Sequence, residues 1–85
     1  MTDAIEVLPA AGRALRKVHP ETRARIRGVV LKLAADPRPP GARALKERPG
    51  YLRVRVGDYR IIYTVHDDVL TVIVVRVGHR REVYR

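Results

Sequence analysis

Leu52-Arg53-Val54-Arg55-Val56-Gly57-Asp58-Tyr59-Arg60 alternates arginines with apolar residues up to a Gly-Asp pair. Alternation of period two marks a strand with one buried face, so Leu52, Val54 and Val56 point to a core while Arg53 and Arg55 point the other way. Gly57-Asp58 fits a two-residue hairpin turn, with glycine supplying the positive φ that a type II′ turn needs first. Val56 then faces Tyr59, Arg55 faces Arg60, Val54 faces Ile61 and Arg53 faces Ile62. Three guanidinium groups share one sheet face. Like charges placed opposite each other weaken a sheet, so the pairing gains nothing unless an anion sits between them. Phosphate is the obvious guest.

Working outward, three strands are expected at about 51–56, 59–66 and 69–77. Asp67-Asp68 supplies the second turn, and fits a longer loop equally well. With a two-residue turn, Tyr59, Ile61, Tyr63 and Val65 face one side beside Leu70, Val72 and Val74. Arg60, Ile62, Thr64, His66, Val69, Thr71, Ile73 and Val75 face the other, a floor partly apolar and partly lined by arginine. Gly78 ends the last strand, and His79 to Arg85 form a short tail. Upstream, Asp36-Pro37-Arg38-Pro39-Pro40-Gly41 must be a loop, because three prolines and a glycine in six residues forbid helix and central strand alike. Before that loop, Thr22, Ile26, Val29, Val30 and Leu33 form the apolar stripe of a helix from about Pro20 to Ala35, with Glu21 near its positive end. His19-Pro20 separates it from a shorter helix starting near Ala10, whose face is Ala11, Ala14 or Leu15, and Val18. Ala4 to Leu8 read as a first strand ended by Pro9. The order is β-α-α-β-β-β in one domain, residues 1–85, which implies an α+β fold: a mostly antiparallel sheet with a helical hairpin packed on one face.

Composition narrows the function. Lys plus Arg number 18 against 9 Asp plus Glu, a net charge of +9, so the expected partner is acidic: nucleic acid or an acidic protein segment. There is no cysteine, which removes disulfides, thiol nucleophiles and zinc-thiolate sites. The three histidines lack metal-ligand spacing, so no metal and no cofactor are expected. Met1-Thr2-Asp3 does not open a secretory leader, and the longest apolar run, Val69 to Val77, is far shorter than the ~20 residues of a membrane helix. A soluble cytoplasmic protein is the expectation.

The helix arginines Arg13, Arg16, Arg23, Arg25 and Arg27 have the spacing of a solvated face. Arg53, Arg55 and Arg60 do not, since clustering on an open sheet face brings no structural gain. Lys46 precedes the arginine strand in a loop. His79 stands beside the dense basic tail, whereas His19 reads as a helix-boundary residue and His66 as a hairpin-end residue. Tyr84, an aromatic within a basic tail, can stack on a base or hydrogen-bond a phosphate.

Leu45-Lys46, then Arg53 to Tyr63, then Val77-Gly78-His79-Arg80-Arg81-Glu82-Val83-Tyr84 together resemble the RelE branch of the RelE/ParE toxin superfamily. The similarity spans nearly the whole chain and is most specific in the G-D-Y-R-I-I-Y hairpin and the V-G-H-R-R-E-V-Y ending. It implies the toxin of a type II toxin–antitoxin pair, a metal-independent endoribonuclease that enters the ribosomal A site and cuts mRNA. The implied partners are the ribosome with its mRNA and an acidic antitoxin that wraps the toxin, with operator DNA reached only through that antitoxin and no membrane. By position, the resemblance assigns the phosphate-holding and charge-stabilising roles to Arg53, Arg55, Arg60 and Arg80, and nucleotide orientation to Tyr84. Lys46 and Arg81 join as RNA-binding residues. Arg53 and Arg55 stand where the best-known relative has lysines. A guanidinium keeps its proton to about pH 12, so Arg55 is a poor general base, and His79 is the expected proton donor or acceptor. The same scaffold also resembles ParE, which inhibits DNA gyrase by binding. A passive RNA-binding module is a third reading.

Overall fold

The computed structural model describes residues 4–66 and 71–79. Its elements are β1 (Ala4–Val7), α1 (Pro9–Arg16), α2 (Pro20–Ala35), β2 (Arg43–Ala44), β3 (Tyr51–Val56), β4 (Tyr59–His66) and β5 (Thr71–His79). Both helices begin with proline, whose fixed φ suits the first turn and whose missing N–H is no loss there. His19 caps α2, its Nδ1 accepting the Glu21 amide at 3.2 Å. The helix-boundary role expected for His19 is therefore what the structure shows.

One five-stranded sheet has the order β1-β5-β4-β3-β2. All neighbours are antiparallel except β1, which runs parallel to β5 at the sheet edge. The helical hairpin covers one face. Ala11, Val18, Ile26, Val30 and Leu33 from the helical segment meet Val54, Val56, Ile61, Tyr63, Val74 and Val77 from the sheet. Removing side chains of the size of Ile61 or Leu33 from water contributes about 1.5–3 kcal/mol each.

The β3–β4 hairpin has the expected register, Val56 to Tyr59, Arg55 to Arg60, Val54 to Ile61 and Arg53 to Ile62. Gly57 holds φ +58, the left-handed conformation its turn position requires.

The structure decides two points that the sequence left open and corrects two expectations. The segment after the proline-rich loop is not wholly irregular: Arg43–Ala44 pair with β3 as a short edge strand. His66 pairs with Thr71, so the β4–β5 connection is longer than two residues; this shift by an even number leaves the facing of each residue unchanged. Asp67 to Leu70 themselves lie outside the described residues. Gly78 does not end the last strand, which continues to His79. Finally, the register slips between Ile62, opposite Arg76, and Tyr63, opposite Val74. Val75 is the extra residue of a β-bulge, and beyond it the strand's two faces exchange. Simple alternation would send Val77 and His79 to the open face. Instead Val77 enters the core, and Arg76 takes its place outside.

Candidate nucleic-acid interface

The open face is ordered by the register into rows that cross the strands. One row reads Arg43, Arg53, Ile62, Arg76, and the next reads Arg55, Arg60, Gly78. Gly41, Arg43, Arg53, Val54, Arg55 and Arg60 line a cleft of about 170 Å³. Arg53 and Arg60 are half-buried, while Arg43, Arg55 and Arg76 are exposed. The Arg60 Nε is closed off from solvent. Five guanidinium groups on one face create a field that favours an anion between them. Their planar, multi-donor geometry matches phosphate oxygens.

The proline-rich loop delivers one edge of this cleft. Tyr63, fully buried on the helix side, donates its hydroxyl to the Pro37 carbonyl at 2.8 Å. The Asp36 Oδ1 accepts the Arg38 amide at 3.3 Å, and the Ala42 amide bonds the Pro39 carbonyl at 2.9 Å. The loop thus leaves α2 tied down, and the next residue, Arg43, lands opposite Arg53. Burial raises the Tyr63 hydroxyl above the usual tyrosine range, with Asp36 adding to the shift and Arg38 opposing it.

The sequence-derived candidates divide. Arg53, Arg55 and Arg60 come together. Lys46 is exposed in the turn before β3 and does not line the cleft. Arg80, Arg81 and Tyr84 lie outside the described residues. His79 goes to the other side of the sheet: it pairs with Tyr59 and meets that ring edge-on, centroids 5.7 Å apart, at a groove also lined by Arg13 and Lys17 of the α1 region. The bulge at Val75 is the physical reason. Ile62, expected as an exposed apolar residue, is buried at 8% exposure, whereas Ile73 and Val75 are half-buried. Its row neighbours Arg53 and Arg76 carry aliphatic stems able to cover it.

Arg43 and Arg76 are the residues that sequence reasoning missed. Arg43 sits in a two-residue strand too short to show a pattern. Arg76 follows two adjacent valines, a break in alternation that signals a bulge. Among the described residues no group of histidines and carboxylates could hold a metal ion.

A family model described as ParE toxin of type II toxin-antitoxin system, parDE, matches residues 5–84. The chain belongs to this family. Within the RelE/ParE superfamily, this ParE-family chain is 36% identical over 53 residues to Toxin RelG of Mycobacterium tuberculosis (strain ATCC 25618 / H37Rv), a match covering 62% of the chain and 61% of that relative. The fold superposes on a chain of the toxin-antitoxin complex RelBE2 from Mycobacterium tuberculosis with TM-score 0.81 and 28% identity, over 94% of this chain and 100% of that one. The RelB-RelE antitoxin-toxin complex from Methanococcus jannaschii gives TM-score 0.76 and 27% identity, covering 93% and 94%. The expected α+β architecture of this ParE-family chain is therefore the one these toxins share.

Proposed function

We propose that this toxin is a ribosome-dependent endoribonuclease whose open sheet face holds the scissile phosphate of mRNA. The observation that carries the reading is the convergence of Arg53, Arg55 and Arg60 with Arg43 on one cleft. In the proposed reaction the RNA 2′-oxygen bonds to the adjacent phosphorus and the bond to the 5′-oxygen breaks, leaving a 2′,3′-cyclic phosphate and a 5′-hydroxyl. The phosphorane carries more negative charge than the ground state. Guanidinium groups fixed before the reaction stabilise it selectively, and Arg80 and Tyr84 are proposed to complete the set from the chain's end. The 2′-hydroxyl proton leaves to solvent or to a ribosomal group, and the 5′-oxygen is protonated likewise. His79, across the sheet, is not given this task. The toxin works in the cytoplasm, where the ribosomes are, and an acidic antitoxin neutralises it. The toxin–antitoxin complexes among its structural relatives support that partner.

The ParE description of the matching family favours one second reading, gyrase inhibition without catalysis. Mapping RNA ends on programmed ribosomes, beside a gyrase supercoiling assay, separates the two. New 5′-hydroxyl ends in the A-site codon support the nuclease. Uncut RNA with blocked supercoiling replaces it.

A further inference from the structure

We propose that Arg43 and Arg76 grip the phosphates flanking the scissile one, so that an extended single RNA strand lies across the β-strands rather than along one. This rests on reading the open face as an RNA site. Arg43, Arg53, Ile62 and Arg76 stand in register on four adjacent strands. Three interstrand steps separate the outer pair, roughly 14 Å at the usual strand spacing. A single phosphate cannot bridge that distance, whereas an extended nucleotide chain can. Arg43 also lines the cleft with Arg53, Arg55 and Arg60, which joins the outer position to the central cluster.

Arg76 reaches this row only through the bulge at Val75. Bulges leave a residue unpaired and recur beside functional sites, where they re-aim a side chain. Here the irregularity gives the open face a cation where alternation would place Val77. Both flanking arginines are exposed, as backbone-gripping residues must be, and between them in the row Ile62 provides an apolar floor. The acidic residue of the described strands, Glu6, pairs with Ile73 beyond the arginine rows. An acidic protein segment is the competing occupant. The spaced cations in a line favour a polymer with evenly repeated charge.

The test is fluorescence anisotropy with a single-stranded RNA oligomer bearing 2′-O-methyl sugars, which binds but cannot be cut, titrated across salt. Each single-strand phosphate contact contributes about 0.7 to the slope of log affinity against log salt. R43Q and R76Q should each lower the slope by about that much and the double variant by about twice as much, with parental melting temperatures. R13Q removes an equal charge from α1, off this face, and should leave the slope unchanged. Parental slopes in R43Q and R76Q overturn the flanking role while leaving the RNA reading intact. Weakened binding of an acidic peptide with an unchanged RNA slope overturns it in favour of a protein occupant. If the parental protein binds the oligomer without salt dependence, the RNA reading falls and the flanking role with it.

Discussion

The two faces of one sheet divide the work of this protein between alternate residues. On the covered face Val54, Val56, Ile61, Tyr63, Val74 and Val77 are buried against the helical hairpin. On the open face Arg53, Arg55, Arg60 and Arg76 stand one residue away from them. Apolar burial is nondirectional and supplies stability, whereas like charges set opposite each other in a sheet do not. Neighbouring positions should therefore respond in different measurements, and each substitution below probes that separation.

The largest effect is expected at Ile61, which is completely buried. Ile61→Ala should destabilise the fold by about 2–5 kcal/mol, read as a lower urea midpoint. A loss below ~1 kcal/mol would mean that the covered face is not the main source of stability. Its neighbour Arg60 sits on the other face. Arg60→Ala should slow single-turnover cleavage about 10²–10³-fold, the usual loss when one charge-stabilising donor is removed, while the urea midpoint hardly moves. Parental cleavage by a folded variant would remove Arg60 from the site.

A smaller effect is expected where the covered face reaches the loop. Tyr63→Phe deletes the hydrogen bond to Pro37 and should cost ~0.5–1.5 kcal/mol. Because burial raises the folded Tyr63 hydroxyl above the unfolded value of about 10, the folded state keeps a proton that the unfolded state loses above that pH. This contribution is fully present below pH ~10 and disappears as pH rises through the folded value. Alkaline destabilisation should thus start near pH ~10 in the parental protein and be weaker in Tyr63→Phe. Identical alkaline curves would contradict it.

The smallest effect is expected at His79. Placed against Tyr59 on the covered side, it should leave the pH profile of cleavage unchanged when replaced by glutamine. A changed pH profile in His79→Gln would place its imidazole at the reacting phosphate and break the division between faces.

Local chemistry wrote much of this molecule directly into the chain. The arginine alternation and the Gly57 turn specify the hairpin, its register and the meeting of Arg55 with Arg60, because period-two facing and a left-handed glycine are properties of a few adjacent residues. The proline at the start of the second helix and the stripe through Ile26, Val30 and Leu33 fixed that helix in the same way. Tertiary structure decided what local pattern could not. It placed β1 beside β5, far away in sequence, and set Arg43 opposite Arg53 through a loop tied to Tyr63. It also chose the bulge, which exchanges Val77 for Arg76 and carries His79 away from the arginines. The physical reason is that alternation assigns faces only while the ladder is regular. At Val75 the ladder is broken, so Val77 is buried where alternation would bury Arg76, and the chemistry of the open face changes with it.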